Sequence, residues 1–311
     1  MGYKLAGFEH LGGVEIDPQV ADVYATNHNP KYLFVEDIRN FADKKEFPKD
    51  LYNLDILDGS PPCSSFSMAG NREKDWGKEK VFREGQTKQR LDDLFFDYIR
   101  LAKKLQPKVI IAENVKGLVQ GNAKAYVRKI KQEFENAGYK VQLFLLNAAS
   151  MGVPQKRERV FFICQRNDLN YPILKLHFNE QIIPFKQIAD YTFNEPHKKM
   201  TDEYYKLWIK VKEGRPLSDA HPNGSRFTSW KLSMSDCLPT LTSTAGECNH
   251  YSRCDMPVYT NDTEWLLGGT FPLDYNFKKI NVKYLIGMSV PPVMTAQVAT
   301  EIYKQWFSKI K

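Results

Sequence analysis

Over its first 165 residues the chain alternates short apolar runs with amphipathic stretches, and that alternation leaves few folds open. LGGVEID (Leu11 to Asp17), YLFV (Tyr32 to Val35), LDIL (Leu54 to Leu57), VIIAEN (Val109 to Asn114), VQLFLLNAA (Val141 to Ala149) and RVFFICQ (Arg159 to Gln165) read as six strands. Helical patterns lie between them. Asp17-Pro18 supplies an N-cap and a first-turn proline for PQVADVYATNH. Leu91, Leu94, Phe95, Tyr98, Leu101 and Leu105 recur at spacings of three and four and stop near Pro107. The helix around AYVRKIKQEFENAG ends at Gly138. Strands alternating with helices predict a doubly wound, mostly parallel α/β sheet. From Arg166 to about Tyr275 the regularity is lost, and prolines, aromatics and short polar runs predict a smaller, loop-rich second domain. VMTAQVATEIYKQWF then returns to helical periodicity and is expected to pack back on the sheet.

Composition narrows the functional class. A chain of 311 residues can bury a sizeable core, as one large domain plus a smaller one. Lys and Arg outnumber Asp and Glu by 44 to 37, a net +7 that suits a polyanionic partner without establishing one. No apolar run reaches the ~18 residues of a membrane span, and no charged-then-apolar leader opens the chain. Five cysteines are too few for a disulfide scaffold and suit a reducing cytosol. Cys248-x-His250-x3-Cys254, with Cys237 upstream, fits no standard zinc spacing, so no metal is expected.

Four constellations carry possible chemistry. In DGSPPCSSFSMAG (Asp58 to Gly70) two prolines force the backbone out of the preceding strand into a rigid loop that carries Cys63. The carboxyl end of a parallel strand is where open α/β sheets put their ligands, although a turn with an incidental cysteine reads the same way. The charged, Gly-spaced run after it looks able to close over something. Glu113, in Glu113-Asn114-Val115, ends the fourth strand and could face the same bound group, or could simply cap the next loop. Gln155, Arg157 and Arg159 alternate along QKRER and would share one strand face, as a site or as a basic surface stripe. Glu15 and Asp37 end the first two strands, where an acid can hold a nucleoside ribose or cap a helix.

PPCSSFS, then ENV, then QKRER, in that order on alternating strands, resembles the DNA (cytosine-5)-methyltransferase family. LDDLFFDYIR, GMSVPP near the C-terminus and, more weakly, WLLGGTFPLDY also match the family's pattern. The resemblance covers nearly the whole chain. It implies a Rossmann-like, S-adenosylmethionine-dependent catalytic domain over 1–165 plus 283–311, and a target-recognition domain over 166–282. It also implies methyl transfer from S-adenosylmethionine to C5 of a flipped-out cytosine in double-stranded DNA, through a covalent bond from Cys63 to C6. By resemblance Glu113 contacts the base's N3 and exocyclic amine, Arg159 holds its O2, and Arg157 supports the loop and the ionised thiol. Glu15 is assigned to the cofactor ribose and Asp37 and Ile38 to the adenine, with Ile16, Pro62, Leu94, Ser289 and Val290 lining the site.

Two departures from the family's pattern bear on these expectations. The family opens with a strand and a Gly-rich loop, approximately DLFxGxGG, whereas this chain starts at MGYKLAGF, which matches the family's segment just after that loop. Six strands instead of seven and weak cofactor binding by the 311 residues alone are therefore expectations here, whether the start of the sequence is assigned too late, another chain supplies the segment, or function is lost. Met288 stands where the family usually has Asn before Ser-Val. The leading reading is a prokaryotic or phage DNA methyltransferase, monomeric, cytoplasmic and associated with the nucleoid. A tRNA cytosine-5 methyltransferase, or a catalytically impaired base-flipping subunit, stays open as an alternative.

Overall fold

The computed structural model describes residues 1–61, 94–120, 123–192, 195–243 and 251–309, together with the backbone of 79–80 and 89–90. Pro62, Cys63, Cys248, His250 and most of the charged run after Cys63 lie outside the described residues.

The N-terminal half follows the predicted alternation. Helix α1 (Gly2–Leu5) leads to β1 (Gly12–Glu15), α2 (Pro18–His28), β2 (Tyr32–Val35), α3 (Ile38–Asp43) and β3 (Ile56–Gly59). A short antiparallel pair, β4 (Glu79–Lys80) with β5 (Gln89–Arg90), precedes α4 (Leu94–Leu105). There follow β6 (Val109–Val115), α5 (Lys124–Asn136), β7 (Tyr139–Asn147) and β8 (Glu158–Arg166). Local chemistry sets the helix ends. Asp17 accepts from the N–H groups of Gln19 and Val20, and Asp37 from that of Arg39. Gly138, just past α5, takes φ +97°, which a side chain would resist.

The six larger strands form two part-sheets. β1 pairs with β2 in parallel, and β3-β6-β8-β7 form a four-stranded sheet. Within it β3 and β6 are parallel, and β8 alone opposes its neighbours, so three of the four strands share one direction. Helices cover both faces, and the strand period of two shows in which residues meet them. Ile110, Ala112, Val160 and Phe162 pack against α4 and α5, while Val109, Ile111, Phe161 and Ile163 pack against the C-terminal helix. Burying each such Ile, Val or Phe is worth roughly 1.5–3 kcal/mol, far more than helix propensity, so the two faces fix the layers.

The third strand is displaced from the expected 54–57. Leu54 and Asp55 already accept from the amides of Lys108 and Val109, but the ladder continues to Gly59. The fifth begins at Tyr139, because its pairing to Arg166 starts there, and it ends where Asn147 caps a turn over Ala148–Ser150.

The remainder is short elements and loops: α6 (Asp202–Trp208), β9 (Arg215–Pro216), β10 (Trp230–Lys231), β11 (Tyr251–Ser252), α7 (Asp262–Gly268) and α8 (Val282–Met288). They enclose a core of their own, with Phe185, Leu232, Leu238, Tyr251, Trp265 and Ile286 in it. The last helix, α9 (Pro292–Gln305), returns to the sheet as its periodicity predicts. Among the described residues no helix is long and apolar enough to cross a membrane.

Candidate active site

A cavity of about 710 Å³ opens at the carboxyl ends of β1, β2 and β3. Glu15, Ile16, Asp37, Ile38, Leu94 and Ser289 all line it, so six of the eight expected cofactor residues share one space. Val290 lines a smaller adjoining cavity of about 330 Å³ together with Glu113, Ser289 and Asp58. Two carboxylates beside apolar Ile16, Ile38 and Leu94 suit a nucleoside, whose hydroxyls and amine want acceptors and whose base wants apolar walls. Both acids also serve the fold. Glu15 accepts from the Asp17 amide at 2.8 Å, and burial pushes its carboxyl up. Asp37 caps α3 and pairs with Arg39 at 2.9 Å. Ser289 donates to the Leu285 carbonyl, and Met288 beside it is exposed to the cavity.

Glu113 and Arg159 lie on the paired strands β6 and β8. Arg159 Nε meets Glu113 Oε1 at 2.9 Å, and both side chains are largely buried. Burial pulls the Arg159 guanidinium down, and the Glu113 carboxylate opposes that. Next to them buried Asn114 donates from Nδ2 to the Pro61 carbonyl at 3.0 Å. Through Asn114, the neighbour of Glu113, the carboxylate–guanidinium pair is thus tied to Pro61, two residues before Cys63 in the sequence.

Gln155 and Arg157 depart from the expectation. They precede β8 and form neither a strand face nor a surface stripe, each being at most 2% exposed. Gln155 donates to the Gly268 carbonyl and accepts from the Leu241 amide. Arg157 donates to the carbonyls of Leu241 at 2.7 Å and Gly287 at 3.0 Å. Burial, then the charge of Arg159, pulls Arg157 down to about 9, with Glu113 opposing. These two side chains join the sheet domain to the second unit.

The sequence profile for C-5 cytosine-specific DNA methylases matches residues 1–304. The chain belongs to that family. Its similarity to the type II methyltransferase M1.HphI of Haemophilus parahaemolyticus is 34% identity, covering 98% of this chain and 83% of that one. With M.FnuDI of Fusobacterium nucleatum it shares 41% identity over 55% of this chain and 44% of that one. The chain spans less than half the length of M.FnuDI. Among solved structures, S. pombe Dnmt2 methyltransferase superposes with a TM-score of 0.66 at 14% identity, over 97% of this chain and 94% of that one.

In this family member the sequence reading passed over a group of residues beside the motif loop. Asp58, on β3, is exposed to the cavity, and desolvation by the protein around it raises its carboxyl to about 6. His10, Tyr24, His28 and Tyr275 pack ring against ring along the smaller cavity, the first pair edge to face and the others tilted, bringing α2 against the second unit. Burial lowers His10 and takes His28 down to about 4. Tyr98, counted only as a helix apolar position, places its single O–H between the carbonyls of Leu57 at 2.9 Å and Ile111 at 3.1 Å and so bridges β3 and β6. Only Tyr24 and His28 are near in sequence, four residues apart on α2; their convergence with His10 and Tyr275 needs the fold. Among the described residues no three His, Cys, Asp or Glu gather as a metal site requires.

Proposed function

We propose that the chain transfers a methyl group from S-adenosylmethionine to C5 of cytosine in duplex DNA, with Cys63 as the nucleophile. The observation that carries this reading is the buried Glu113–Arg159 pair on adjacent strands, tied through Asn114 to the loop that leads to Cys63. Cytosine C5 is a poor nucleophile until a group adds to C6, and a thiolate adds well. Glu113 then holds N3 and the exocyclic amine, and Arg159 holds O2, so that charge arriving on the ring meets a fixed partner. Arg157 supports the loop from behind. S-adenosylmethionine supplies the electrophilic methyl, with Glu15 and Asp37 on its nucleoside and Ile16, Ile38, Pro62, Leu94, Ser289 and Val290 around it. After C5 takes the methyl, loss of its proton and departure of the Cys63 sulfur from C6 restore the aromatic ring. The base must leave the stack to reach these groups, at a cost of roughly a few kcal/mol.

Residues 1–165 with 283–311 do this chemistry, and 166–282 read the target. A net charge of +7 suits phosphate contacts, and the enzyme works as a monomer on nucleoid DNA in the cytoplasm. The test is a duplex carrying 5-fluorocytosine at its target site, where the C5 proton cannot leave. With S-adenosylmethionine present the protein forms an adduct stable to denaturant, and Cys63→Ser forms none. An adduct surviving in Cys63→Ser overturns the nucleophile assignment.

A further inference from the structure

The two cavities share part of their walls, and Asp58 stands there with Ser60 and Ser289. Of the described carboxylates Asp58 alone borders both spaces: Glu15 and Asp37 line only the larger, and Glu113 only the smaller. The proposed function puts the donor's nucleoside at Glu15 and Asp37 and the target base at Glu113. The methyl-bearing sulfur then has to lie where the two spaces join, and the amino-acid arm attached to it has to find room beside Asp58.

That arm ends in an α-ammonium and an α-carboxylate, and the lining answers only the first. Among the described residues no lysine or arginine borders either cavity. Glu15 and Asp37 already accept from nearby amides, and Asp37 also pairs with Arg39. Asp58 accepts only from its own backbone amide and forms no ion pair within 4.0 Å, the Met1 amine acting on it from farther away. Its carboxyl, raised by desolvation to about 6, is charged above neutral pH and still wants a cation. An anion held in this way destabilises the free protein, and a cationic ligand offsets that.

The backbone that carries Asp58 is firmly held. Asp58 pairs with Ile111 in the β3–β6 ladder, and the Tyr98 hydroxyl bridges the carbonyls of Leu57 and Ile111. A Cβ added at Gly59 would meet the Tyr98 ring at 2.6 Å, so the strand sits hard against α4. A carboxylate on such a strand is placed before any ligand arrives, which is what lets one charge orient a flexible arm. Resting on the methyl-transfer reading, we propose that Asp58 is a binding residue for the donor: its carboxylate holds the α-ammonium of the amino-acid arm. By fixing that arm it sets the direction from which the sulfur offers its methyl.

The test reads binding and stability, with no turnover and no DNA. S-adenosylhomocysteine carries the nucleoside and the amino-acid arm, whereas 5′-methylthioadenosine carries the nucleoside and only a methylthio group. Their isotherms are measured slightly above neutral pH by ligand-observed magnetic resonance, up to millimolar ligand, for the parent chain and for Asp58→Asn. The parent is expected to bind S-adenosylhomocysteine at least ~10-fold more tightly, as a hydrogen bond between charged groups warrants. Asp58→Asn should lose that preference, keep 5′-methylthioadenosine within about 2-fold of the parent, and melt no lower without ligand, since it removes an unpaired buried charge. Asp58→Ser should behave alike. Equal loss of both ligands, or a preference kept by both variants, overturns the proposal. A parent that binds neither ligand overturns the donor reading itself, whereas one that binds both alike overturns only the role of Asp58.

Discussion

Arg157 shows what one side chain can do that its sequence neighbourhood does not announce. Its planar fork reaches two carbonyls, Leu241 and Gly287, that lie 84 and 130 residues away in the chain. A lysine keeps the charge and has donors enough, but it lacks the fixed two-pronged fork and is expected to reach only one of the two carbonyls. Arg157→Lys is therefore expected to cost about 1–3 kcal/mol, the range for leaving a buried acceptor unpaired. Urea unfolding checks it, and an unchanged midpoint would show that water satisfies the abandoned carbonyl. The sequence put Gln155, Arg157 and Arg159 on a common strand face because alternate residues share one. That reasoning was sound for Arg159, which lies on β8 and reaches Glu113. It failed for the other two because β8 begins only at Glu158, and because burial of a polar side chain depends on carbonyls distant in sequence. Glu15 and Asp37 show a third outcome. Each lines the cavity and each also bonds a nearby amide, so the helix-capping and ligand readings are compatible for Asp37, and a local turn role is compatible for Glu15.

At the scale of elements, the six larger strands and the helices between them were legible because each carries its own periodicity and its own stop signal. Helix α2 spans the expected Pro18–His28, and β2 the expected YLFV. The split of the strands into two part-sheets was not legible, since a run of apolar residues says nothing about which neighbour pairs with it. Nor was the organisation of the second unit, whose elements are held by side chains instead of periodicity. Helix α7 is an example. Asn261 and Glu264 form a reciprocal capping box, and Glu264 also pairs with Arg253 at 2.8 Å with both side chains fully buried. Removing one partner of a buried pair leaves an uncompensated charge and typically costs about 3–5 kcal/mol. Asp255 still holds Arg253 from its other side, so Glu264→Gln is expected near the low end, about 3 kcal/mol. The exposed Lys304–Glu301 pair at 3.0 Å is the control, and Glu301→Gln should cost under ~1 kcal/mol. Equal effects in chemical denaturation would mean that burial does not set the value of the α7 pair.

On the proposed function, the question for the whole molecule is how one sheet domain can carry a changeable reading surface. The two units have separate cores: Trp306, Val298 and Phe161 belong to one, and Trp265, Tyr251 and Phe185 to the other. Tyr171, Leu174 and Phe178, just past β8, still pack on the sheet side. The second core begins at Phe185 and extends to Ile286 on α8. Bonds from Asp236, Thr240 and Tyr275 across the join use second-unit side chains, but another group shares a useful property. Gln155 and Arg157 bond backbone groups of Leu241 and Gly268, and Asn27 bonds the backbone carbonyl and amide of Asn276. Backbone acceptors and donors are present whatever the side chains are, so the second unit can change sequence while keeping its seat. On the proposed function, exchanging residues 185–281 for the same region of a relative should therefore move the modified cytosine to the relative's site. Starting the exchange at 166 instead should also cost stability, because it replaces Tyr171, which stacks on Trp306 at 5.4 Å, and Leu174. Bisulfite sequencing of DNA treated with each chimera reads the site, and thermal melting reads the cost. If the 185–281 chimera melts like the parent yet still modifies the parent's site, base reading lies outside the exchanged unit. Phosphate contacts from the sheet domain would then have to be joined there by contacts to base edges.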